Sequence, residues 1–233
     1  MRFNLLFMIA ACCALLAACG GPPSETAQDI DVAPTDFALL PCGSGVDDQP
    51  CALVVVGGKR ILFGAPAGVT AGLQEDDLRL LDAVMLFSLR STDIQGLDEI
   101  RNRSWEAGRD TPLLVVGPDG VEGFVAGLNK AYEMSDALRV VEDGIPAGGF
   151  DAAVLRAHTG RQQTVFNTGD VQVRQSAAGF SIIYRDHTKV WLDACRGDAM
   201  PIATVNVWCE SEQGKHIWPL RQPIFVDLVK APE

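Results

Sequence analysis

The residues able to do chemistry are few and oddly spaced. Three histidines, His158, His187 and His216, are all the imidazoles in 233 residues. No two of them stand at the H-x-H or H-x-x-x-H spacing that brings two ligands to one metal, so each reads as a surface or turn residue. Ser88 would need a positioned base to act as a nucleophile, and neither a G-x-S-x-G turn nor a histidine partner accompanies it. Arg90 and Asp93 form the more informative pair. A guanidinium could lie against the Asp93 or the Asp193 carboxylate and supply fixed positive charge. Alternatively Asp93 caps a helix and Arg90 is solvated.

These residues belong to Val84–Leu97, VMLFSLRSTDIQGL, around which the chain is organised. Val84 to Leu89 reads as a buried strand. Ser91, Thr92 and Asp93 follow as helix N-caps, and Thr92 with Gln95 has capping-box spacing. Ile94, Leu97, Ile100 and Trp105 then give one apolar face to a helix that Gly108 ends. Upstream, Phe37–Leu40, Ala52–Val56 and Arg60–Phe63 read as a β-meander, and Gly72–Leu81 as a short helix. Downstream, Thr111–Val116 is a strand, and Val121, Phe124, Val125, Leu128, Ala131 and Tyr132 line a helix. From Leu138 strands are expected at Leu138–Glu142, Ala152–Leu155, Val171–Arg174, Phe180–Tyr184, Val190–Leu192, Ala203–Trp208 and Ile224–Val229.

The chain starts with a short apolar run, MRFNLLFMIAACCALLAAC, behind Arg2, the pattern of an export signal. Leu16-Ala17-Ala18-Cys19 resembles the lipobox of bacterial lipoproteins. That resemblance implies removal of residues 1–18, lipidation of Cys19 and attachment to a membrane through several acyl chains. Gly20, with no aspartate beside the cysteine, resembles the sorting pattern of outer-membrane lipoproteins facing the periplasm of a Gram-negative bacterium. Residues 19–36, rich in Pro, Ser, Thr and acids, read as a flexible tether, and residues 37–233 as the folded body. A formal charge of −11 and the lack of a basic stripe argue against a nucleic-acid partner.

Apart from Cys12, Cys13 and Cys19, four cysteines remain. In an exported protein they read as two disulfides, although four allow three connectivities. Cys42–Cys51 and Cys195–Cys209 are favoured because each pair closes a loop between expected strands. A zinc site is disfavoured because there is no C-x-x-C and no histidine at a familiar spacing.

SLRSTDIQGL resembles the metal-binding loop H-L-H-x-D-H-I-Q-G-L of the metallo-β-lactamase fold, in its ribonuclease Z and arylsulfatase-like branch. Around it, ILFGAPAGVT resembles L-F-D-C-G-x-G-T, and R-x-x-W-x-x-G-R-x-T-P-L followed by G-P-x-G matches the segment beyond the metal loop. The resemblance implies an α/β protein, an αββα sandwich whose C-terminal part is shortened, with no final helical segment bearing a histidine. It also implies two zinc ions, but the ligand positions fall on Gly64, Ser88, Arg90, Thr92, Asp93, Gln175 and Cys195. Asp193 sits two residues before Cys195, on the same side of a strand.

The frame of a di-zinc hydrolase is thus present without its ligands, and no cofactor is expected. Two function classes follow. One is a membrane-anchored, non-catalytic pseudoenzyme that binds a small anion near Arg90 or acts as a partner subunit, as a homodimer or beside an intact paralogue. The other is a hydrolase of esters, lactones or phosphodiesters with a non-standard centre, in which Asp93, Asp193, Gln175 and Ser88 hold one hard ion.

Overall fold

A computed structural model describes residues 32–33, 36–43, 49–161, 163–196, 203–210 and 212–226. The expected leader 1–18, Cys19, almost all of the tether 19–36 and the end of the Ile224–Val229 strand lie outside the described residues.

The order of elements follows from two kinds of apolar run. Continuous runs make most of the first sheet: β1 (Ala38–Pro41), β2 (Ala52–Val56), β3 (Lys59–Phe63), β4 (Leu81–Met85) and β5 (Leu113–Gly117), with β6 (Leu155–Thr159), LRAHT, at one edge and β13 (Ile224–Phe225) at the other. All five residues of β2 are buried, as expected of a strand covered on both faces. The strands lie in the order β13-β1-β2-β3-β4-β5-β6, antiparallel from β13 through β3 and parallel from β3 through β6. Alternating runs make much of the second sheet. It comprises β7 (Thr164–Asn167), β8 (Val171–Gln175), β9 (Gly179–Tyr184), β10 (His187–Asp193), β11 (Val205–Trp208) and β12 (His216–Ile217). In β8, Val171 and Val173 are buried while Arg174 is exposed.

The sheets stack face to face. Val54, Ile61, Phe63 and Met85 from the first and Val173, Phe180, Ile182 and Leu192 from the second share one apolar core. Phe63 and Phe87 each meet Phe180 edge-on, at 5.3 and 5.2 Å between ring centroids.

Helices pack on the first sheet: α1 (Glu75–Arg79), α2 (Ser91–Ile94), α3 (Leu97–Glu106) and α4 (Val121–Asp143), with α4 along β5 and β6. No α-helix among the described residues follows β6. The αββα architecture therefore appears in its shortened form. Cys42 is bonded to Cys51 and Cys195 to Cys209.

Several local expectations are corrected. Leu138–Glu142 is helical, the last turns of α4, because long-range contacts override the β-preference of Val140 and Val141. Val140 packs on the cluster of Trp105, Ala152 and Ala153. Arg139 lies over the Trp105 ring at 4.8 Å and pairs with Glu106. Ala152 and Ala153 belong to a 3₁₀ turn before β6. The capping box does not form: Arg90 takes the N-cap position, Thr92 lies within the first turn, and no side-chain cap bond is made. The helix expected from Ile94 onward is instead two, α2 and α3, broken at Gly96. There a β-carbon would come within 2.2 Å of the Pro66 carbonyl oxygen.

Candidate functional site

The parallel strands β4, β5 and β6 end at one rim of the sandwich, the position where open α/β sheets present loops to ligands. β4 runs on into Phe87 and Ser88, β5 into Pro118 and Asp119, and β6 into Gly160 and Arg161. From the second sheet, Gln175 ends β8 and Arg196 follows β10. Together these segments enclose a cleft of about 520 Å³ whose charged and polar side chains are Asp119, Arg161, Gln175, Ser176 and Arg196.

Beside it, Ser88 is buried, at 3% exposure, and its hydroxyl is used twice. It accepts from the Arg90 backbone N–H at 3.0 Å and donates to the Asp93 carboxylate. Thr92 donates to the same carboxylate at 3.3 Å. The cation facing Asp93 is Arg196, at 3.5 Å. The expected partner is thereby corrected: Arg90 is exposed and, among the described residues, forms no ion pair. The reason is local, since Arg90 stands at the N-cap, where its backbone takes part in the turn that Ser88 and Asp93 close while its side chain is exposed. Arg196 lies far away in sequence and becomes a neighbour only when the two sheets stack.

Asp193 does not join this carboxylate. It is buried at 3% exposure and accepts from the backbone N–H of Cys195 at 2.9 Å. Burial raises its pKa, while the amides of Cys195 and Cys209 partly counteract that rise. Its backbone carbonyl receives the Trp218 indole N–H at 2.9 Å. Cys195 is held in the disulfide at a φ of +59°. Gln175 presents a buried side-chain oxygen with no hydrogen-bond partner among the described residues. That oxygen occupies the space beside Gly160, where a β-carbon would come within 1.5 Å of it.

Gly64 lies on the loop that docks against α2, through the Ala65 amide to the Asp93 carbonyl at 3.1 Å. Its φ is +80°, and a β-carbon there would lie 2.1 Å from the Pro50 carbonyl oxygen. The position excludes side chains altogether.

This donor set does not fit a two-zinc centre. Gly64 offers no atom, Arg90 is a cation, the Cys195 sulfur is bonded to another sulfur, and Asp93 already serves Ser88, Thr92 and Arg196. Among the described residues no three His, Cys, Asp or Glu side chains are grouped to hold a metal ion. The site also has donors to spare. The Arg161 and Arg196 guanidiniums lie 3.4 and 3.5 Å from Asp119 and Asp93, beyond ordinary hydrogen-bond length, so donor capacity remains for an acceptor in the cleft. Sequence reasoning did not single out Arg161, Arg196 or Asp119, although Asp119 lies within the matched G-P-x-G.

No family model matches the sequence, and no curated protein matches it. Solved structures do. The fold is similar to that of the metallo-β-lactamase fold protein YhfI from Bacillus subtilis, at 12% identity over 78% of this chain and 77% of that one, with a TM-score of 0.54. Human tRNase Z, short form, aligns at 14% identity over 78% of this chain and 85% of that one, with a TM-score of 0.47. At such identity a likeness speaks for architecture alone, and the architecture of this chain is the metallo-β-lactamase fold, as its ribonuclease Z-like motifs imply.

Proposed function

We propose that this chain is a non-catalytic binding subunit, lipid-anchored at Cys19 to a Gram-negative outer membrane and facing the periplasm, whose cleft holds a small carboxylate or phosphate through Arg161 and Arg196. One observation carries the reading: Asp93, the carboxylate at a metal-ligand position, is occupied by Ser88, Thr92 and a guanidinium. Positive charge that a metal would bring is here supplied by arginine, which binds oxyanions without activating water. Export fits the two disulfides. Among the described residues no helix is long and apolar enough to cross a membrane, and the anchor proposed here is a lipid.

The test takes the full chain. Elemental analysis is made before and after incubation with Zn²⁺, Mn²⁺ and Ca²⁺, and inorganic phosphate and acetate are titrated calorimetrically. The expected result is no stoichiometric metal, together with anion binding that Arg196→Ala weakens about tenfold or more. About one bound ion per chain would replace this reading with the hydrolase of esters, lactones or phosphodiesters. The unpartnered oxygen of Gln175, a hard donor, is the observation favouring that second reading.

A further inference from the structure

Of the six buried side-chain nitrogen and oxygen atoms without a hydrogen-bond partner among the described residues, three belong to the end of α3 and the turn after it: Arg101 Nε, Trp105 Nε1 and Arg109 Nη2. All three side chains are 1% exposed. Arg101 and Trp105 are four residues apart and share one face of α3. Arg109 lies beyond the helix and is turned back onto it at Gly108, whose φ is +94°. Its amide donates to the Ser104 carbonyl and its Nε to the Ser104 hydroxyl, both at 3.0 Å. That hydroxyl in turn donates to the Arg101 carbonyl at 3.3 Å. Arg109 Nη1 donates to the Thr111 carbonyl, which leaves Nη2 over.

Charge in this layer does not balance. Three guanidiniums meet α3 here, and two have a carboxylate: Arg101 pairs with Asp136, and Arg139 with Glu106. Arg109 forms no ion pair among the described residues. Asp110 beside it is exposed and offsets only part of its charge. Burial and the charge of Arg101 lower the Arg109 pKa only to about 10, so the group is a cation at neutral pH. Buried charges are held with a partner of opposite sign, and buried donors with an acceptor. One unpaired charge and three unused donors call for the same occupant.

We infer that the end of α3 holds a small monovalent anion, chloride in ordinary salt, at Arg109 Nη2. Trp105 Nε1 and Arg101 Nε are the further donors available to it. The class of ligand follows from the donors. A water molecule has two hydrogens to place as well as bonds to accept, and the three orphaned atoms are donors only. An anion only accepts. The size follows from burial, since donors closed off from solvent suit a monatomic ion rather than the carboxylate or phosphate proposed for the cleft. The inference is independent of the cleft, because every donor lies in α3 and the turn after it.

The test follows thermal unfolding of the full chain as sodium chloride replaces sodium gluconate at constant sodium. Chloride is expected to raise the melting temperature, beyond half-saturation by about 3–6 °C for every tenfold rise in its concentration. The rise should persist in Arg196→Ala, which separates it from the cleft, and vanish in Arg109→Met, which removes the unpaired charge. Bromide gives a readout that needs no variant: its anomalous scattering, in crystals of the unsubstituted chain, should place a peak in contact with Arg109 Nη2. That peak decides the question if Arg109→Met does not fold. No rise with chloride, a rise undiminished in Arg109→Met, a rise lost in Arg196→Ala, or bromide absent from Arg109 each overturns the inference.

Discussion

Two arginine–aspartate pairs in this molecule do opposite things. Arg101 and Asp136 join α3 to α4 with side chains only 1% and 5% exposed. The guanidinium gives two bonds to one carboxylate, a third to Asn102 at 2.9 Å, and stacks 5.0 Å from the Tyr132 ring centroid. Behind it, burial and the charge of Arg101 lower the pKa of Arg109 to about 10. Arg196 and Asp93, at 33% and 13%, touch once at 3.5 Å on the edge of a cleft. The first pair is enclosed by its own chain and can only hold the fold. The second keeps free donors and can be used.

Breaking the first pair should therefore have the largest effect. Arg101→Ala or Asp136→Ala leaves a buried charge unpaired and should cost about 3–5 kcal/mol in denaturant unfolding, without altering anion affinity of the molecules that remain folded. Next, replacing Cys195 and Cys209 together by serine opens a loop with a sequence separation of 14. That should lower stability by about 3 kcal/mol and release Arg196 from the cleft edge, so anion affinity falls as well. Arg196→Ala sharpens the contrast most. A partly exposed pair at this distance contributes about 0–1 kcal/mol to folding, so the melting temperature should barely move. Loss of a charge-assisted bond of about 1.5–3 kcal/mol should nevertheless weaken anion binding about tenfold or more. Lysine there should restore charge but not the fork of donors, giving an intermediate affinity.

The smallest effect belongs to Asp193. Its folded pKa lies above the ordinary aspartate value, so its favourable contribution is complete below that value and is lost as pH rises through the raised one. Asp193→Asn, which can still accept from the Cys195 amide, should flatten that fall. Unfolding midpoints measured across the acidic range would test it, and an unchanged slope would show that another group is responsible.

How much of this was legible beforehand depended on range. The strands β1, β2, β3 and β5 were readable because continuous apolar runs such as ALVVV bury both faces; β6, LRAHT, was not, because it lies at the end of the sheet and its buried and exposed residues alternate. The Ser88–Asp93 loop was readable because strand, turn and helix signals adjoin. The partner of Asp93 was not, because Arg90 is three residues away and Arg196 is a neighbour only through the stacking of two sheets. The last turns of α4 were hidden by β-branched Val140 and Val141, whose preference is overruled by the packing of Val140 on the Trp105 cluster. The orphaned oxygen of Gln175 and the crowding at Gly64 are properties of three-dimensional contact and leave no mark on local pattern.

That crowding at Gly64 reaches beyond one residue. The oxygen a new side chain would strike belongs to Pro50, the neighbour of Cys51, and Cys51 is tied to Cys42. An attempt to rebuild a metal centre by adding ligands one at a time would meet a covalently braced wall at this position. A path from this sequence to a two-metal site therefore cannot run through single substitutions here; it needs these strand ends and their bridge to be remade together.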